Sequence, residues 1–360
     1  MDGQKTKKYI LIGMFVLFVG YYGILWGSTK ENASTENEKR ELSELPSFSI
    51  EDYGSFTTDF TAFFSDHIPY RQKITEKYNN FMVNYLHVSS DEGVILGKQG
   101  WLFYNSHAKD VVTDEVIDYN GSKKYSLNQM ENIANEVRNA DRMCKENGAK
   151  MIFLIAPNKS SIYPQYMPLS YVQVSAENRI DELCTYLKKN TDAVIVYPKK
   201  ELRKLSQEQK IYFSNDTHWN GMGGVYAASI LAEEFGLVYP KIEDLKLVSQ
   251  KSPEDLKLML GINKFEQDEG NFIPDYNDLC DVELINSSEN MDSYKSNNYN
   301  GKRMLMLGDS FSEALLPAMS IAVEELDVSR SREYGYVKDK SYDYVVYELV
   351  ERNLSFLAGE

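Results

Sequence analysis

Met151-Ile152-Phe153-Leu154-Ile155-Ala156-Pro157 is a run of six apolar residues stopped by a proline. Alternation would mark a strand with one wet face, whereas an unbroken run of strand length marks a strand buried on both faces, as in a parallel sheet covered by helices. Upstream, Met130, Ile133, Val137, Ala140 and Cys144 recur at helical spacing, and Gly148 stands where a C-terminal cap belongs. Downstream, Ile180, Leu183, Cys184 and Leu187 repeat the helical period before a second apolar run, Ala193 to Tyr197, stopped by Pro198. Strand, helix, strand is the repeating unit of an α/β sheet. The pattern predicts a further apolar helix from about Met222 to Phe235, closed by Gly236. Arg303 to Leu307 and Tyr344 to Tyr347 read as two more buried strands, and Ala322 to Val328 as the place of a short one.

Beyond this core, composition removes several classes of function. A chain of 360 residues that is 42% hydrophobic can bury a full core, which excludes disorder throughout. Its net charge of -15 is spread along the sequence and repels phosphate, so no nucleic-acid partner is expected. Cys144, Cys184 and Cys280 are odd in number and lack a C-x-x-C pair, which supports neither a disulfide framework nor zinc. With only four scattered histidines, no metal and no cofactor is expected.

The N-terminus carries a different signal. Tyr9 to Trp26 holds no charged residue and follows Lys5, Lys7 and Lys8. It is predicted to be a transmembrane helix, with the N-terminus cytoplasmic and the rest of the chain outside the cell membrane. A cleaved signal peptide is the rival reading, but Gly27-Ser28-Thr29-Lys30 has no A-x-A-like site. The expected organisation is a stub and anchor at 1–27, a polar tether at 28–45 and one catalytic domain at 46–360. Within that domain, about 241–302 reads mostly as a looping excursion.

The chemistry is carried by two loops. Gly308-Asp309-Ser310-Phe311 follows a buried strand and precedes a predicted helix, Ser312 to Leu326, kinked at Pro317. In an open parallel sheet, ligands bind at the carboxyl ends of strands, and the N–H of Ser310 would there face an oxyanion formed beside its hydroxyl. A hydroxyl needs a general base, itself oriented by a third group. Of the histidines, His218 has the right setting, Asn215-Asp216-Thr217-His218-Trp219-Asn220, because an Asp two positions away on extended backbone points the same way and can hold the imidazole. His67, His87 and His107 are taken as structural or surface residues. A metal site built on Asp216 and His218 lacks a third ligand in the sequence.

These motifs resemble the SGNH hydrolase superfamily, in which a Gly-Asp-Ser block and an Asp-x-x-His loop frame the site. Here Asp216-Thr217-His218-Trp219 precedes Gly308-Asp309-Ser310, which resembles the permuted branch containing the alginate O-acetyltransferase proteins and bacterial DHHW proteins. Phe64 to Arg71, Gly97 to Tyr104, Pro157-Asn158-Lys159-Ser160 and Glu348 to Leu354 also look like that branch. The resemblance implies a circularly permuted, flavodoxin-type parallel sheet with helices on both faces, and Ser310, His218 and Asp216 as catalytic residues. Where the family offers a Gly-x-Asn-Asp asparagine, this chain has Leu349-Val350-Glu351-Arg352-Asn353. Asn353 or Arg352 stands in as second oxyanion donor, a buried ion pair at Glu351 being the alternative; Asn158 and Trp219 join them as oxyanion or substrate-binding candidates. The implied function is acetyl transfer to a cell-surface polysaccharide from a multi-span membrane acyltransferase. Hydrolysis by the same residues, as a carbohydrate esterase, and a non-catalytic glycan-binding scaffold remain as alternatives.

Overall fold

Residues 3–28, 43–47, 53–68, 70–105, 115–175 and 177–359 are described by a computed structural model. They divide into two compact units, Met1–Ser90 with Leu258–Lys264, and Asp91–Lys257 with Phe265–Glu360. The first holds α1 (Gly3–Ser28), α2 (Tyr53–Asp66) and α3 (Arg71–Tyr85). Phe60 and Phe63 lie on α2; the Phe63 ring stacks on His67, whose Nδ1 is 2.8 Å from the Phe63 carbonyl, so this histidine is spent on helix packing.

The predicted anchor falls on α1. Among the described residues no helix is long and apolar enough to cross a membrane, so the expected single-pass span is not found there. The helix itself is present, α1 covering Gly3–Ser28. Most of the predicted tether, positions 29–42, lies outside the described residues, as does His107.

The second unit begins with a small hairpin, β1 (Val94–Leu96) and β2 (Leu102–Tyr104), joined through Gly97–Gly100. After α4 (Glu115–Asn120) and α5 (Leu127–Glu146) come β3 (Lys150–Ala156), α6 (Lys159–Ile162), α7 (Arg179–Asn190), β4 (Val194–Val196), α8 (Lys199–Leu205) and α9 (Gly221–Phe235). Then follow β5 (Leu247–Ser249), α10 (Asp255–Met259), β6 (Phe272–Pro274), β7 (Val282–Ser287), β8 (Asp292–Ser296), β9 (Arg303–Leu307), α11 (Ser312–Ser320), β10 (Glu325–Ser329) and β11 (Tyr344–Val350).

A seven-stranded sheet in the order β4-β3-β11-β9-β10-β8-β7 organises this unit. Its first five strands run parallel, with Val346 opposite Ile152 on one side and Met306 on the other. Side chains alternate across a strand, so Ile152, Leu154, Met304, Met306 and Val346 face a core shared with α9 and α11. Met151, Phe153, Leu305, Leu307 and Val345 face the opposite core, with α5 and α7. The unbroken apolar runs follow from this two-sided burial.

The sheet is mixed rather than wholly parallel. β7 and β8 pair antiparallel at its far edge, and both come from the segment expected to be loop. The edge position explains the weak signal: every residue of β7 is exposed, so its sequence did not need the apolar run that marks a central strand. The predicted Ser312–Leu326 helix stops at Ser320, and Glu325–Ser329 turns back into the sheet as β10. All three cysteines are free and buried.

Candidate active site

The serine and histidine loops meet because their helices approach closely. A Cβ at Gly224 of α9 would lie 2.4 Å from the Ala314 carbonyl of α11, so only a glycine permits this spacing. At the start of α9 the Asn220 side chain accepts the Gly223 N–H at 3.1 Å, capping the helix. Just before it, Tyr212 and Trp219 form an antiparallel bridge that closes residues 213–218 into a tight loop. The buried Trp219 indole donates to the Phe311 carbonyl at 2.9 Å and thereby ties this loop to the serine turn.

At the junction, His218 Nε2 lies 2.7 Å from Ser310 Oγ, and His218 Nδ1 lies 2.8 Å from Asp216 Oδ1. Ser310 is exposed, His218 half-buried and Asp216 fully buried. Asp216 Oδ1 also accepts the His218 N–H, and Oδ2 accepts the Asp255 N–H at 2.9 Å. Burial alone would raise the Asp216 carboxyl, but these hydrogen bonds outweigh it and hold the group at about 2. The carboxylate therefore stays ionised and fixes the imidazole with its proton on Nδ1, leaving Nε2 to accept from the serine. Among the described residues the Ser310 N–H has no partner.

Two residues here escaped the sequence reading. Asp255 places Oδ2 at 3.8 Å from His218 Nδ1 and accepts the Thr217 N–H at 2.7 Å; burial and the Asp216 charge push its carboxyl up. It supplies the third carboxylate-or-imidazole ligand that the sequence seemed to lack, since Asp216, His218 and Asp255 offer ligand atoms within 4.8 Å of one another. Those atoms are, however, already engaged by N–H donors and by each other, a donor set that fits a hydrogen-bonded relay better than an ion. The only hint in sequence was Ser252-Pro-Glu-Asp255 ahead of an apolar residue, a helix-start pattern.

Lys159 is the other. It is 1% exposed, and its ammonium donates to the carbonyls of Phe213, Ser214 and Asp216 at 3.2, 3.2 and 2.6 Å. It plugs the histidine loop from behind. Burial lowers it to about 8, partly countered by Asp255 and Asp216. Its signal was a charged residue right after a buried strand, where a lysine must find acceptors or remain solvated.

The serine turn is braced on its other side. Asp309 accepts the Phe311 and Val350 N–H groups at 3.0 and 2.9 Å and the Asn353 amide at 2.7 Å. Its own N–H donates to Glu348 Oε2 at 3.1 Å. Glu348 is fully buried, and a Cβ on Gly308 would stand 2.6 Å from its Oε2. Burial, then the neighbouring Asp309 charge, push Glu348 well above the usual carboxylate range, which favours its neutral form beside the turn.

The four subsidiary candidates thus have other partners: Asn353 holds Asp309, and Trp219 holds Phe311. Arg352 donates to Asn158 Oδ1 at 3.1 Å, and its guanidinium sits 5.2 Å from both the Tyr104 and Phe311 ring centroids. The fully buried Asn158 donates its N–H to Glu351, which also receives Ser161 at 2.7 Å and the Tyr197 hydroxyl. None of the four makes a hydrogen bond with Ser310 among the described residues.

The helix-covered, largely parallel sheet thus presents an Asp216–His218–Ser310 hydrogen-bond chain beyond the carboxyl end of β9. Residues 94–261 match the family model described as the SGNH hydrolase-like domain of acetyltransferase AlgX, so the family its motifs resemble is the one whose model the chain matches. The chain is 24% identical over 144 residues to the probable alginate O-acetylase AlgJ of Pseudomonas aeruginosa; the match spans 39% of this chain and 33% of that relative. A structure of Bacillus cereus PatB1 with a sulfonyl adduct is similar in fold, with a TM-score of 0.50 at 16% identity, over 74% of this chain and 98% of that one. A DHHW family protein from Eubacterium siraeum has a TM-score of 0.48 at 15% identity, over 74% and 95% of the two chains.

Proposed function

We propose that this chain is an O-acetyltransferase that modifies an extracytoplasmic polysaccharide through an acyl-serine intermediate. The observation carrying the reading is the 2.7 Å approach of His218 Nε2 to Ser310 Oγ. Ser310 attacks the acyl carbonyl of the donor while His218 takes its proton; the tetrahedral oxyanion turns to the unpartnered Ser310 N–H; collapse expels the donor's leaving group, which receives the proton from His218. A sugar hydroxyl then gives its proton to His218 and attacks the acyl-serine, and Ser310 is reprotonated as the acetylated sugar leaves. Asp216 remains ionised throughout and stabilises the imidazolium. Likeness to the AlgX family and to an alginate O-acetylase supports the acyl group and the polysaccharide class. A multi-span membrane acyltransferase is the acetyl source in this reading.

The exposure of Ser310 also favours a second reading, a carbohydrate esterase in which water replaces the sugar. Purified protein given an activated acetyl ester, with and without oligosaccharide, separates them by product: acetylated sugar for transfer, free acetate regardless of sugar for hydrolysis. Ser310→Ala should abolish both. If that variant retained wild-type turnover, the serine mechanism would be wrong.

A further inference from the structure

Beside the histidine loop the second unit opens a cleft of about 410 Å³, within the range of small-ligand sites, roughly 300–1,000 Å³. We propose that this cleft is the acceptor-glycan subsite and that it takes a neutral polysaccharide, not a polyuronate. The inference rests on the acyl-transfer reading and adds to it the chemical class of the acceptor.

Tyr163 and Tyr166 of the wall follow the carboxyl end of β3, and the other wall includes Lys210 and Ser214, on the segment that leads into His218. Asp268 accepts the Ser214 and Asn215 N–H groups at 2.9 and 3.3 Å and pairs with Lys210. A ligand in the cleft therefore leans on the backbone that carries the general base, on the same strand-end edge as Ser310.

The lining has the two features a sugar needs. Trp101 and Tyr166 stack with centroids 4.6 Å apart and planes 7° apart; Trp101 is buried beneath, so the half-buried Tyr166 offers its remaining surface to the cleft. An aromatic face of this kind matches the C–H face of a pyranose. Around it stand Gln99, Gln207, Gln209 and Gln267, planar amides that both donate and accept, as vicinal hydroxyls require.

Charge then chooses among sugars. Glu208, Glu266 and Glu269 line the cleft and are exposed. The wall's lysine, Lys210, is already committed to Asp268 and to the Glu269 carbonyl at 2.8 Å. A uronate carboxylate entering here would meet three like charges and an engaged cation, whereas an uncharged hexose or N-acetylhexosamine would meet hydrogen-bonding groups.

The test is calorimetric titration of the purified full chain with six-unit oligomers of glucose, of N-acetylglucosamine and of mannuronate, alongside fluorophosphonate labelling of Ser310. At least one neutral oligomer should bind. Tyr166→Ala should weaken it by about tenfold or more, and the exposed pair Glu266→Lys with Glu269→Lys should raise uronate binding by a similar factor, with labelling of Ser310 unchanged in all. Binding of the uronate in preference to both neutral oligomers, or of no neutral oligomer, overturns the proposal. Retained neutral binding with an unreactive Ser310 would instead overturn the acyl-transfer reading and leave the cleft standing.

Discussion

Replacing Glu348 by glutamine should stabilise this protein, and increasingly so as pH rises. The buried acid has one oxygen, Oε2, on the Asp309 N–H, while Oε1 has no partner among the described residues, and Asp309 lies alongside. Burial and the Asp309 charge raise its folded pKa far above 4.5, the value for an unperturbed group. The sign follows from linkage: a group with a raised folded pKa gives its full stabilisation below the unfolded value and loses it as pH climbs towards the folded value, because the unfolded chain releases its proton first. The slope is about 1.4 kcal/mol per pH unit in that window. Glutamine keeps the neutral form's shape and hydrogen-bonding capacity without the proton. Glu348→Gln should thus match wild type near pH 4.5 and become progressively more stable than it as pH rises, with a plateau at the folded pKa. Urea unfolding across pH, followed by tryptophan fluorescence, measures this directly. A variant less stable than wild type at neutral pH, or a difference that does not change with pH, would mean that Glu348 is ionised in the fold and that its charge is needed.

Two other substitutions test the histidine loop. Asp216→Asn should leave the fold intact yet cut turnover by about four orders of magnitude, since an amide cannot hold the imidazole in the productive tautomer; in wild type the Asp216 carboxylate's contribution to stability should be present above about pH 4 and fade as pH falls through about 2. Lys159→Met should strip the loop of three hydrogen bonds to a charged donor and leave buried carbonyls unsatisfied, costing about 2–5 kcal/mol after relief of the lysine's own burial penalty; hydrogen exchange at residues 213–218 should accelerate more than in β3, and equal protection in both variant and wild type would refute the clamp.

How much of this was readable in advance depended on burial geometry. The central strands were legible because burial on both faces forces unbroken apolar runs, as at Met151–Ala156 and Arg303–Leu307. The edge pair β7 and β8 was not, since exposed strands can be polar and one side of β7 needs no partner. The strand expected at Tyr344–Tyr347 continues to Val350, with the fully buried Glu348 inside it. The site's core triplet was legible from local chemistry, Asp216 and His218 two positions apart and Ser310 after a buried strand. Asp255 and Lys159 were not, because they act on backbone N–H and carbonyl groups tens of residues away, and such contacts leave no spacing in a sequence.

The burial of every native thiol has a practical consequence. Burial pushes Cys144 and Cys184 to about 12, and Cys280 is enclosed, so alkylating reagents should pass over the wild-type molecule. An exposed thiol introduced by Ser310→Cys would therefore be the preferred point of attachment, and a fluorophore or spin label could be installed beside His218 without first removing any natural cysteine.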